Sequence, residues 1–169
     1  MVMQKFKRLW LHLKPNQAVQ YFNAANQAAL SQVITSAEQG HRGEIRLIIE
    51  ARLPMALIWQ NTTARERALS WFSDLRVWDT EGNTGIVLYL LLAERQLELV
   101  ADRGIANKVP PAQWQAICQQ LERDLAANQV LPGLSQTLKQ LGDLLALHFP
   151  LPIDSENPNE LSNEPVIVI

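Results

Sequence analysis

A mixed α/β fold, with helices on both faces of a sheet, is predicted by three stretches of this 169-residue chain. EIRLIIEAR at 44–52 alternates with period two. Ile45, Leu47, Ile49 and Ala51 share one side and Glu44, Arg46, Glu50 and Arg52 the other, so a strand with one buried face is expected. Gly85–Leu92 is apolar on both faces, which marks a central strand. Gln96–Ala101 forms a third, with Leu97, Leu99 and Ala101 on one face. A helix joins the first two strands, so strand one runs parallel to central strand two through a right-handed crossover. The tight Ala93-Glu94-Arg95 connection makes strand three antiparallel to strand two.

The remaining elements follow in order. Residues 1–14 are a basic amphipathic arm: Phe6, Leu9, Trp10 and Leu13 recur at helical spacing among Lys5, Lys7, Arg8 and Lys14, and Pro15 ends it. Such a helix either docks on its own domain or lies on anionic lipid. A helix over much of 16–39, with Phe22, Leu30, Val33 and Ile34 among its apolar positions, is stopped by Gly40. Residues 54–61 are a hydrophobic connection. Thr63 and Glu66 have the spacing of a capping box, in which hydroxyl and carboxylate each accept a backbone N–H; the helix they open runs to about Leu75. Pro110 and Pro111 suit a helix start, and Trp114, Ile117, Cys118, Leu121 and Leu125 form its stripe. A last helix opens at Pro132 or Gly133 and turns Leu134, Leu138, Leu141 and Leu145 inward. From Pro150 the chain is an extended acidic tail with several Pro, its final residues candidates for docking. The chain thus divides into an arm (1–14), an α/β domain (15–149) and a tail (150–169).

Several functional classes are excluded. A net charge of −2 carries no nucleic-acid signature. No apolar run reaches the ~18 residues of a membrane span, and the N-terminus lacks the apolar core of a signal peptide. A single Cys permits no intrachain disulfide. These features fit a protein of the reducing cytoplasm, with peripheral contact at the inner membrane through residues 1–14 left open. His12, His41 and His148 lie in separate segments, which suggests no zinc site, and Cys118 reads as a small buried hydrophobe. No GxSxG, Walker, GxGxxG or HExxH motif is present.

Strand order makes one sheet edge distinctive. It gathers His41-Arg42-Gly43-Glu44, Trp78-Asp79-Thr80-Glu81-Gly82-Asn83 and Asp102-Arg103-Gly104. Glu44, Asp79, Glu81 and Asp102, with Asn83 as a neutral oxygen donor, would suit a hard cation, Ca²⁺ or Mg²⁺. Arg42 and Arg103 would face a phosphate or other anion. The alternative is structural: Asp, Gly and Asn are ordinary turn residues, and the two Arg neutralise the acids as surface ion pairs.

HRGEIRLIIE, RERALSWF, VWDTEGNTGIVLYLLLAERQLELVADRGI, the helix start from Trp114 to Ile117, HFP and ELSNEP together resemble the TPM-domain family, in a short bacterial, proteobacterial-type form. The resemblance runs from about Phe22 to the C-terminus. That domain is shared by a thylakoid-lumen acid phosphatase, a photosystem II repair protein and an auxiliary subunit of an acetylcholine receptor. The resemblance implies a mixed sheet between helices, Ca²⁺ binding as in some members, and phosphomonoester hydrolysis as reported for others. Carried to this chain, it implies Asp79 and Asp102 as cation ligands, with Glu44 and Glu81 next. Two departures stand out. Long members have Gly-x-Gly after the third strand, where this chain reads Asp102-Arg103-Gly104-Ile105, and the phosphatase activity belongs to another branch. Two functions are therefore expected. One is a cation-binding domain with phosphatase-like activity. The other is a non-catalytic interaction module for a membrane-protein or envelope partner, its acidic loops purely structural.

Overall fold

The sheet consists of β1 (Glu44–Glu50), β2 (Gly85–Leu91), β3 (Gln96–Ala101) and a short β4 (Val166–Val168), in the order β3-β2-β1-β4. The computed structural model describes residues 2–14, 17–152 and 159–169. Pro15, at the end of the arm, and Asp154 and Glu156 of the acidic tail lie outside the described residues. As expected, β1 and β2 are parallel, with Glu44 opposite Gly85, and β3 is antiparallel to β2. The tail adds β4, parallel to β1 through Ile48–Val166 to Glu50–Val168.

One face of the sheet carries α2 (Ala24–Ala37), α6 (Pro111–Ala126) and α7 (Val130–His148). Leu30, Ile34, Ile117, Leu121, Leu138 and Leu141 pack there on Ile45, Leu47, Ile49, Ile86 and Leu88. The other face carries α1 (Val2–Leu13), α3 (Met55–Trp59) and α4 (Ala64–Asp74). Ile58, Ala64, Ala68 and the half-buried Leu9 pack there on Ile48, Val87, Tyr89 and Val100. The capping box forms at α4: Glu66 N–H donates to the Thr63 hydroxyl (3.1 Å), and Thr63 N–H to the Glu66 carboxylate (2.8 Å).

Four expectations are corrected. β1 is buried on both faces rather than one, because α4 covers Glu50 and the returning tail covers Glu44 and Arg46. The segment 54–61 is not a mere connection but contains α3, started after Pro54. The predicted helix over 16–39 is broken into a 3-10 turn (Gln17–Phe22) and α2, because Asn23 adopts an extended conformation and caps α2, its side chain accepting the Asn26 N–H. The last helix starts at Val130, ahead of Pro132, since a proline within the first turn removes no helical hydrogen bond.

Gly85 shows how closely the loop before β2 rests on the sheet. A Cβ there would collide with the Val77 carbonyl and press on the Val77 side chain. Gly85→Ala is therefore expected to cost ~1–3 kcal/mol, read as a lower melting temperature. An unchanged melt would mean that this loop gives way freely.

Candidate functional site

The three polar loops do meet at one end of the sheet. The Thr84 hydroxyl donates to the Arg42 carbonyl (2.9 Å), tying the loop before β2 to the loop before β1. Asp102 N–H donates to the Gly85 carbonyl (2.8 Å), bringing in the end of β3. Within the central loop, Asn83 takes positive φ (50°), Asn83 N–H donates to the Thr80 carbonyl, and Thr84 N–H donates to the Thr80 hydroxyl. Turn chemistry thus fixes the segment.

Each acid has a different employment. Glu44 is fully buried, and its carboxylate accepts the backbone N–H of Glu160 (2.9 Å) and Leu161 (3.2 Å). Burial raises its pKa, partly opposed by those two amide hydrogen bonds. Glu81 is exposed and pairs with Arg42 at 3.1 Å, while its backbone N–H donates to the Glu160 carboxylate (3.2 Å). Asp79 is exposed, its backbone N–H held by the Arg76 carbonyl. Asp102 caps the short α5 (Arg103–Ala106), its Oδ1 accepting the Arg103 N–H at 2.7 Å. Its Oδ2 is out of solvent contact and has no hydrogen-bond partner. Arg103 points to solvent. Beside Asp102, Gly104 packs against the carbonyl oxygens of Gly82 and Asn83, too closely to admit a side chain.

The register explains why Glu44 and Asp102 do not converge. Gly85 lies between them in the sheet, and Val77 sits directly on Gly85. Loop backbone therefore occupies the space between the two carboxyls. Among the described residues, no three His, Cys, Asp or Glu side chains are grouped as metal ligands.

Sequence reasoning missed the partners that the tail brings. Glu38 and Arg46 are buried beside Glu44. Glu38 accepts the Ile45 N–H (2.7 Å), serving the edge of β1 where β4 does not reach. Burial pushes Glu38 up to about 8, with Glu44 adding to the rise and Arg46 and Asn163 opposing it. Burial lowers the pKa of Arg46, and the carboxylates of Glu38, Glu44 and Glu164 around it oppose that only in part. Alternating charges in EIRLIIE were the available signal, but they read as a solvated face because the tail is more than a hundred residues away. His41 is a buried staple at the same end. Its Nε2 donates to the Ala37 carbonyl (2.5 Å), its Nδ1 accepts the Gly43 N–H (3.0 Å), and burial lowers its pKa.

A second polar group sits at the opposite end of the strands. Glu50 is fully buried and accepts Arg67 Nη2 (2.8 Å) and Nε (2.9 Å), the Tyr89 hydroxyl (2.8 Å) and Trp71 Nε1 (3.3 Å). Both carboxylate oxygens accept donors, which describes a structural knot rather than a reactive carboxylate.

A mixed four-stranded sheet between two helical layers, with three turn-rich loops gathered at one end, defines a small α/β module. The TPM domain model matches residues 16–144. The chain belongs to the TPM-domain family. Its fold is that of the BA42 protein from the psychrophilic bacterium Bizionia argentinensis, solved by NMR, at 22% identity with TM-score 0.74 over 87% of this chain and 95% of that one. The N-terminal domain of a protein from P. gingivalis superimposes with TM-score 0.62 at 14% identity, covering 78% of this chain and 82% of that one. No curated protein matches the chain.

Proposed function

We propose that this TPM domain is a non-catalytic interaction module for a membrane-associated partner, and that its edge acids are structural. One observation carries the reading: the protein itself employs three of the four edge acids. Glu44 holds the tail amides, Glu81 pairs with Arg42, and Asp102 caps α5. Glu44, with both carboxylate oxygens accepting backbone N–H groups, and Glu81, paired with Arg42, keep fewer lone pairs for a cation than bare carboxylates would. No helix among the described residues is long and apolar enough to cross a membrane.

A second reading has its own support. Asp102 Oδ2 is shielded and unpaired, with the Gly82 and Asn83 carbonyls close to the adjoining Gly104. Such hard oxygens suit Ca²⁺ or Mg²⁺, and a bound cation would polarise a phosphoryl oxygen, with Arg42 or Arg103 holding the phosphate. One experiment separates the two. Thermal melts across a Ca²⁺ and a Mg²⁺ titration, with p-nitrophenyl phosphate turnover measured in parallel, are expected to show neither a shift nor turnover. A melting temperature that rises with cation by mass action, and fails to rise in Asp102→Asn, would replace the first reading with the second.

A further inference from the structure

The arm docks with one side and leaves the other bare. Arg8 Nε donates to Glu94 (2.6 Å), and His12 Nε2 donates to the same carboxylate oxygen (2.6 Å). Leu53 N–H donates to His12 Nδ1 (3.0 Å), and Leu9 packs into the core. These residues fix the rotation of α1. Phe6, Trp10 and Leu13, at positions i, i+4 and i+7, are thereby turned outward, with exposures of 58%, 56% and 61%. Met55 and Trp59 on the neighbouring α3 are about half exposed as well. Leu13 and Met55 border the same open groove of about 350 Å³. Of the ten exposed large hydrophobic residues described, six lie on α1 and α3, so the apolar surface is concentrated rather than scattered.

Charge selects the occupant. The sequence has no acid from Met1 to Ala37 and none from Ala51 to Arg65. Glu94, the acid beside α1, is already held by Arg8 and His12. Exposed Lys7, Lys14 and Arg52 flank the apolar stripe, with Lys14 Nζ 3.1 Å from the centre of the Trp10 ring. Projecting Trp and Phe rimmed by cations are the chemistry of an interfacial helix on an anionic bilayer.

We propose that the α1–α3 face is a membrane-docking surface that seats Phe6, Trp10, Leu13, Met55 and Trp59 at the acyl–headgroup boundary of an anionic lipid surface. This rests on the reading of the chain as an interaction module and states how the module reaches its membrane-associated partner. The arm keeps its place on the domain while it docks, because Arg8, Leu9 and His12 face inward and the lipid-facing side chains do not.

The test uses the full chain and vesicles of phosphatidylcholine, alone or with phosphatidylglycerol. Co-sedimentation is expected with the anionic vesicles, weakening as salt is raised, together with a blue shift of tryptophan emission. Lys7→Gln with Lys14→Gln should weaken binding by about fivefold per lysine. Trp10→Ala should weaken it by about tenfold or more while circular dichroism and melting stay those of the parent. The lysine pair serves as the second variant should the Trp10 change perturb the fold. Absence of binding to anionic vesicles, or undiminished binding by the lysine pair, overturns the lipid assignment. Either result leaves the module reading standing, since cation melts and phosphatase turnover decide that separately.

Discussion

Arg67→Met is expected to destabilise the fold by ~3–5 kcal/mol, because it strands the fully buried Glu50 carboxylate without its cation. For a chain of this length the melting temperature should drop on the order of 10 °C. Urea denaturation followed by far-UV circular dichroism measures the change directly. The double variant Glu50→Gln with Arg67→Met should recover part of the loss, since removing both charges removes the stranded one. Tyr89 and Trp71 would still find an acceptor in the carbonyl oxygen of the new side-chain amide. Should Arg67→Met melt like the parent, the ion pair would not be what holds α4 on β1.

Stability is expected to fall as pH rises toward about 8, with Glu38 the main cause and His41, whose pKa burial lowers, opposing the slope below about 6.5. Its folded pKa is about 8 against an ordinary 4.5. The folded state therefore keeps a proton that the unfolded chain has released. The stabilisation is complete below the unfolded value and is lost as pH rises through the folded one, at about 1.4 kcal/mol per pH unit within the window. Glu44 is shifted in the same direction and adds to the slope, while Arg46, with Glu164 beside it, moderates both. Glu38→Gln should flatten the profile and melt above the parent at alkaline pH. Parallel profiles for the two proteins would assign the slope to other groups.

Local chemistry accounts for what could be read in the sequence. The Thr63–Glu66 box and the boundaries of β3 depend on neighbours a few positions apart, and both appear where expected. Crossover geometry then oriented the first three strands, because the helix-bearing link and the tight turn each permit one direction. The same geometry brought the three polar loops together. What could not be read is the role of each charge once there. Glu44 and Arg46 look like a wetted face in the heptapeptide EIRLIIE, and only the return of residues 160–164 shows them covered. Likewise Glu50 gives no hint of Arg67, Trp71 and Tyr89, whose convergence needs α4 folded onto β2. The arm was legible as amphipathic, but which side would stay bare depends on Glu94, more than eighty positions away.

The placement of β4 sets an order on the birth of the protein. β1, β2 and β3 are complete by Ala101, whereas the strand that pairs with the end of β1's outer side, Ile48–Glu50, spans Val166–Val168, beyond the stretch matched by the TPM domain. On a ribosome the sheet can therefore assemble while β1 still presents open hydrogen-bonding groups on an isoleucine-rich strand. Such an edge can recruit a second nascent chain as readily as its own tail. The interval between emergence of β1 and emergence of the tail is therefore when this edge is most open to pairing with another chain.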